Sequence, residues 1–243
     1  MPKTSKIRLF VENKLEEGLK TEFNDEQRRY LINVMRLGNE DKILLFNGYD
    51  GEYEAKLEIN GKKQVFAEVI KKSRDFALCP DIWLLFAPLK KDRTDFVVEK
   101  ATELGVRKIM PVIMRYGISD HIKINRWRAQ SIEAAEQSRR LDIPQISPPQ
   151  ELGAVLASWD EKRKLYYMDE TLQGNNIAEA FSSAHAPAAI LVGPEGGFAA
   201  TELDLLAKCP FARSVTLGKR ILRAETAVAA SLACWQALSG DWR

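Results

Sequence analysis

The 243-residue chain is poor in the residues that most often announce a chemistry. It holds three cysteines and two histidines. Cys79, Cys209, Cys234, His121 and His185 are scattered rather than clustered, so no metal site is expected. An odd number of isolated cysteines in apolar surroundings reads as buried free thiols in a reducing compartment. No run approaches the roughly 18 apolar residues of a membrane span. The start, Met1-Pro2-Lys3-Thr4-Ser5-Lys6, has no apolar stretch behind it, which argues against a signal peptide and for a cytoplasmic location. Nucleotide fingerprints are missing too. The strand candidate Ile82–Ala87 leads into Pro88-Leu89-Lys90-Lys91-Asp92, without the glycines of a dinucleotide loop, and Gly218-Lys219-Arg220 lacks the Ser or Thr of a phosphate-cradling loop. No Ser, His and Asp stand in nucleophile-elbow spacing.

Charge is present but unevenly distributed. The net charge of +2 points to no partner. Residues 86–140, however, carry 12 Lys/Arg against 7 Asp/Glu, and residues 141–210 carry 4 against 10, which fits either a basic face for a polyanion or a solvated surface. The length suits one large domain or two smaller ones.

The pattern changes once along the chain. Up to about residue 72, short strand candidates (Arg8–Glu12, Lys42–Asn47, Glu52–Ile59, Lys63–Ile70) surround one helix at Asn24–Met35, capped by Asn24 or Asp25. Tyr53, Ala55, Leu57 and Ile59 alternate with charged residues, and Asn60-Gly61 is a hairpin signal. These features predict a small antiparallel sheet or barrel over residues 1–72. Lys71–Asp75 reads as a polar bridge. From Ile82 onward strands alternate with helices, predicting a mostly parallel α/β sheet in residues 73–243. The expected helices include Thr94–Leu104, with Phe96, Val97, Ala101 and Leu104 inward and Gly105 as its stop, Asn125–Arg139, Asn176–Ala184, one after Thr201-x-x-Asp204 as a capping box, and Ala224–Leu238.

Two glycine-containing loops stand out. Leu191-Val192-Gly193-Pro194-Glu195-Gly196-Gly197-Phe198 follows the apolar run Ala188–Val192. Leu217-Gly218-Lys219-Arg220-Ile221-Leu222-Arg223-Ala224-Glu225-Thr226-Ala227 follows Ser214–Leu217. Loops at the carboxyl ends of strands are where open α/β sheets bind ligands, and glycine lets main chain approach them closely. The pair predicts a small-molecule pocket built largely of backbone.

These two loops, together with Lys100-Ala101-Thr102-Glu103-Leu104-Gly105-Val106 and Ala135-Glu136-Gln137-Ser138-Arg139-Arg140, resemble the SPOUT methyltransferases and, more narrowly, the RsmE family, over nearly the whole chain. Two positions depart from that family's pattern. Tyr30 and Val34-Met35-Arg36 replace its His and Val-Leu-Arg run, and Met114-Arg115-Tyr116 keeps only the Arg of its Glu-Arg-Ser.

The resemblance implies an α/β fold with a C-terminal SPOUT-type, mostly parallel sheet tied in a trefoil knot, plus a small N-terminal PUA-like β-barrel. It implies S-adenosylmethionine as cofactor, a homodimer, and methylation of a uridine at base N3 in small-subunit (16S) ribosomal RNA. A ribose 2′-O methyltransferase on transfer or ribosomal RNA and a non-catalytic ribosome-assembly protein are the alternatives. Leu191, Val192, Gly193, Glu195, Gly197, Leu217, Gly218, Ile221 and Leu222 would line the cofactor pocket. Either Glu195 or Glu225 could take the N3 proton, and Arg223 and Arg115 either stabilise the uracil anion or hold phosphate. Arg8, Arg28, Arg29, Arg36, Lys90, Lys91, Arg93, Arg139 and Arg140 are the candidates for RNA contact, with Arg126 and Arg128 in the same basic segment.

Overall fold

The computed structural model describes residues 4–60, 64–118 and 122–242. Two compact units form, one from residues 1–78 with 135–142, the other from 79–134 with 143–243.

In the first unit, β1 (Thr4–Phe10), β2 (Lys20–Glu22), β3 (Lys42–Phe46), β4 (Glu52–Asn60) and β5 (Gln64–Arg74) make a five-stranded sheet in the order β1-β3-β4-β5-β2. Alternation works as expected: Tyr53, Ala55 and Leu57 are buried and join Leu9, Leu31, Leu45, Val65 and Val69 in one core. The sheet is mixed rather than antiparallel. β1 and β3 run parallel, because residues 11–41 between them form a crossover containing β2 and a helix instead of a tight turn. The hairpin tip expected at Asn60-Gly61 lies outside the described residues from Gly61 on. Nor is Lys71–Asp75 a bridge: β5 continues to Arg74, whose partner is Glu52 of β4, while Lys72 pairs with Tyr53.

Helix α1 (Asp25–Arg29) begins at Asn24, whose side chain accepts from Gln27 N at 2.8 Å while Gln27 Oε1 accepts from Asn24 N at 3.2 Å. It then widens into a single π turn, Tyr30–Val34, closed by Met35 N to Tyr30 O at 2.9 Å.

The second unit is a parallel sheet. Its strands are β6 (Ile82–Phe86), β7 (Lys108–Ile113), β8 (Gln145–Ile146), β9 (Gln150–Glu151), β10 (Lys164–Met168), β11 (Asn175–Asn176), β12 (Ala188–Val192) and β13 (Ala212–Thr216), in the order β11-β13-β10-β12-β6-β7-β8, with β9 also on β7. All five residues of β12 are buried, as a central parallel strand requires.

Helices cover both faces. Residues of α2 (Lys91–Glu103), α3 (Ile124–Ser138), α5 (Ile177–Ser182) and α7 (Ala224–Leu238) pack with Leu84, Ile190 and Val192 on one side. Those of α4 (Leu152–Ala157) and α6 (Ala200–Ala207) pack with Leu85, Ala189 and Leu191 on the other. Two strands that follow one another in sequence, β12 and β13, flank β10, so their connection crosses over it.

Details of the helices differ from the sequence reading. Gly105 does end α2, with φ +77, and Val97, Val98 and Ala101 are buried, but Phe96 is exposed. α6 starts after Ala199, and its first turn is capped by Glu202, whose Oε2 accepts from Ala199 N at 2.8 Å; Thr201 and Asp204 take no part in it. The three cysteines are free and only half-buried. Among the described residues no helix is long and apolar enough to cross a membrane, and no cluster of His, Cys, Asp or Glu could hold a metal ion.

Candidate active site

β10 lies between β12 and β13, so the loops leaving the carboxyl ends of these three strands abut. Parallel strands turn such neighbouring loops into a crevice. Here the crevice is a cleft of about 380 Å³. Its walls are Met168–Glu170 and Leu172 at the end of β10 and beyond it, Val192–Glu195 and Gly197 likewise at β12, and Val215, Leu217 and Arg220–Arg223 likewise at β13, with Arg93 from α2 and Ala224 and Ala227 from α7.

Hydrogen bonds fix these loops against each other. Glu170 Oε1 accepts from Phe198 N at 2.7 Å, joining the β10 loop to the β12 loop. Asp169 Oδ2 accepts from Ser214 Oγ at 2.6 Å and Asp169 N donates to Val215 O at 2.9 Å, joining it to β13. Burial pushes the Asp169 carboxyl upward, but the bonds from Ser214 and Thr171 outweigh it and hold the group below the ordinary carboxylate range. Phe198 is buried edge-to-face on Tyr167, and a Cβ on Gly193 would meet its ring at 3.0 Å.

Gly197 has φ +74, and a Cβ there would overlap Glu170 Oε1. Gly218 has φ +98 with open space around the missing Cβ. The two positions therefore make a matched pair. Gly218→Ala is expected to cost about 1–2 kcal/mol of left-handed strain. Gly197→Ala adds the loss of the hydrogen bond that Phe198 N donates to the Glu170 carboxylate, about 1.5–3 kcal/mol more. Urea unfolding should place the Gly197→Ala midpoint clearly below that of Gly218→Ala, at unchanged slope.

The cleft gathers most of the anticipated cofactor residues: Val192, Gly193, Glu195, Gly197, Leu217, Ile221 and Leu222. Leu191 is fully buried in the core on the opposite face of the sheet, since successive strand residues point to opposite sides. Gly218 shapes the turn without lining the cleft.

Glu195 and Arg223 stand on the cleft wall, whereas Arg115 does not line it. The Arg115 side chain is exposed, and its backbone N–H donates to Glu202 Oε1 at 2.9 Å. Glu225 lies in the first turn of α7.

The basic candidates separate sharply. Arg8 and Arg140 are buried, paired with Glu52 at 2.6 Å and with Asp142 at 2.8 Å, and cannot present a charge to RNA. Arg93 lines the cleft and pairs with Glu195. Arg28 pairs with Asp25 and Arg126 with Asp95. Arg29, Arg36, Lys90, Arg128 and Arg139 are exposed. Lys91 opens α2, and its side chain lies outside the described part of the structure.

Sequence reasoning missed the third wall, Asp169, Glu170 and Leu172. Its signal was available: Asp169-Glu170-Thr171 follows the apolar run Leu165–Met168 just as the glycine loops follow theirs.

Comparison with known proteins matches this geometry to a class. Residues 77–236 match the RNA methyltransferase domain family, and residues 23–70 the RNA methyltransferase PUA domain family. The chain belongs to this RNA methyltransferase family. Within it, the chain is similar to the ribosomal RNA small subunit methyltransferase E of Rickettsia conorii, with 34% identity over 93% of each chain. The Bacillus subtilis protein of the same name is 29% identical over 90% of this chain and 92% of its own. The fold agrees with the crystal structure of a ribosomal RNA small subunit methyltransferase E from Neisseria gonorrhoeae bound to S-adenosylmethionine, at TM-score 0.86 and 30% identity, covering 98% of this chain and 99% of that one. A methyltransferase from Legionella pneumophila in complex with the same cofactor aligns at TM-score 0.89 and 29% identity, covering 98% and 100%.

Proposed function

We propose that this chain transfers a methyl group from S-adenosylmethionine to N3 of a uridine in small-subunit (16S) ribosomal RNA, acting as a cytoplasmic homodimer. The observation that carries this reading is the three-loop cleft, in a chain whose similarity to small-subunit methyltransferases runs through both units.

The residues present fit the cofactor. About 380 Å³ is within the usual size of a ligand pocket. Val192, Leu217, Ile221, Leu222 and Ala227 offer apolar surface for a flat base, while Asp169, Glu170 and Glu195 offer acceptors for hydroxyl and ammonium donors and a field suited to a cation. Bound there, the cofactor supplies an electrophilic methyl on a sulfonium. The chain's own contribution is placement and exclusion of water, since such a displacement is governed by alignment.

On the acceptor side, the uracil N3 proton must leave as the methyl arrives. Glu195 is 40% exposed on the cleft wall with its Oε1 engaged by Arg93, which leaves Oε2 as the oxygen free to take that proton. Arg223, exposed on the same wall, faces the space where negative charge grows on the uracil oxygens. Arg29, Arg36, Lys90 and Arg139, together with Arg220 on the cleft wall, are exposed cations able to meet the ribosomal phosphates.

The test is nucleoside mass spectrometry of small-subunit RNA from cells lacking the protein, before and after incubating their small ribosomal subunits with it and labelled S-adenosylmethionine. Labelled 3-methyluridine absent before and present after supports the reading. Label on a ribose instead would replace the acceptor, and no label with no cofactor binding would end the enzymatic reading.

A further inference from the structure

Arg93 occupies the first turn of α2, the end of a helix where a cation is disfavoured by the dipole. Two carboxylates from outside the helix offset that penalty. Its Nη1 pairs with Glu195 in the loop after β12, and its Nε lies 3.6 Å from Glu225 Oε1 in the first turn of α7. One guanidinium thus meets a carboxylate of the β12 loop, on the cleft wall, and one at the start of α7, the helix whose Ala224 and Ala227 line the cleft. The Glu225 side chain is 16% exposed, its Oε1 faces Arg93, and its Oε2 is buried with no hydrogen-bond partner among the described residues. A planar, multiply donating guanidinium can bridge two acceptors, whereas an ammonium acts as a point charge.

We propose that Arg93 is a positioning residue for cofactor binding. It ties the β12 loop to the start of α7 and so sets the separation of the two walls, rather than contacting RNA phosphate. The inference rests on the proposed reading of the cleft as the S-adenosylmethionine site.

Calorimetric titration with S-adenosylmethionine, together with steady-state methylation of small ribosomal subunits, tests it in the full chain. Both Arg93→Gln and Arg93→Lys should weaken cofactor binding about tenfold or more, because Lys keeps the charge but loses the bridge. Glu225→Gln should weaken it less, since it removes the longer 3.6 Å charge contact and leaves the Arg93–Glu195 pair in place. KM for RNA and its salt dependence should stay at wild-type values in all three.

The inference falls if Arg93→Lys matches the wild type, which would show that a charge alone suffices. It falls if Arg93→Gln leaves cofactor affinity intact while raising KM for RNA and lowering the salt slope by about one phosphate contact. A lower melting temperature with unchanged cofactor affinity also overturns it, by reducing the triad to a structural role. Absence of cofactor binding by the wild type would overturn the cofactor reading itself, a result separable from each of these because they appear only in the variants.

Discussion

An Arg8→Ala variant is expected to destabilise the first unit by about 3–5 kcal/mol, the usual cost of stranding one member of a buried ion pair. Arg8 and Glu52 are 6% and 1% exposed, and their contact is 2.6 Å. The guanidinium also donates to Ala135 O, Glu136 O and Arg140 O at 2.8–3.0 Å, and lies 4.4 Å from the Phe46 ring centroid. The first two of those carbonyls are in the last turn of α3, where helical acceptors lack partners of their own. Burial lowers the guanidinium pKa, with Glu52 opposing, so the charge is held by its partners rather than by water.

Removing Arg8 leaves the buried Glu52 carboxylate with Ser73 Oγ at 3.0 Å and Arg74 at 3.9 Å, and takes a donor from each of three carbonyls. At about 2–4 °C per kcal/mol for a chain of this size, the melting transition should fall by roughly 10 °C. Because Arg8 faces no solvent, the salt dependence of RNA binding should not change. A combined Arg8→Met, Glu52→Leu variant should recover much of the loss by removing both charges together. A wild-type melting temperature with weaker RNA binding would return Arg8 to the surface role its sequence context suggests.

Arg8 marks the boundary of what local sequence can disclose. Its burial is decided by Glu52, 44 residues away, and by carbonyls 127 to 132 residues away. Nothing within a window around Arg8 distinguishes it from Arg29, which is exposed. The strands were legible because their signals are local. Tyr53, Ala55 and Leu57 alternate, and Ala188–Val192 is continuously apolar, as half-buried and central strands demand. The two glycine loops were legible for a similar reason, since Gly197 and Gly218 sit at positive φ where other residues strain.

The third wall was only half legible: Asp169-Glu170-Thr171 follows an apolar run as the glycine loops do, but it reads equally well as a solvated turn. Only the placement of β10 between β12 and β13 converts it into a cleft wall. Phe96 belongs to the apolar stripe of α2 by spacing, yet that stripe is filled by Val97, Val98 and Ala101, and Phe96 is left outside. In the same way Glu202, two residues short of the anticipated Asp204, caps α6, because the helix begins at Ala200.

Loss of Arg223 should act on chemistry rather than on folding. Arg223 is the N-cap residue of α7, exposed on the cleft wall, and among the described residues it makes no ion pair, unlike Arg93 and Arg126. A cation at a helix N-terminus stands beside backbone N–H groups that also favour anions. Together they suit a uracil that is losing its N3 proton and gathering charge on its carbonyl oxygens. Interactions of this kind count most in the transition state, so Arg223→Ala should lower the single-turnover methylation rate about 10²–10³-fold at saturating cofactor and RNA, while cofactor affinity and KM for RNA change by no more than a few-fold. Arg220, exposed on the same wall, supplies the contrast. Placed one residue beyond Lys219 in the turn, it is expected to act on phosphate, so Arg220→Ala should raise KM for RNA and lower the salt slope by about one contact while leaving the single-turnover rate near wild type. If Arg223→Ala instead changes KM and salt slope with the rate intact, the two arginines exchange roles. The group that steadies the uracil anion would then be sought in the loop after β12.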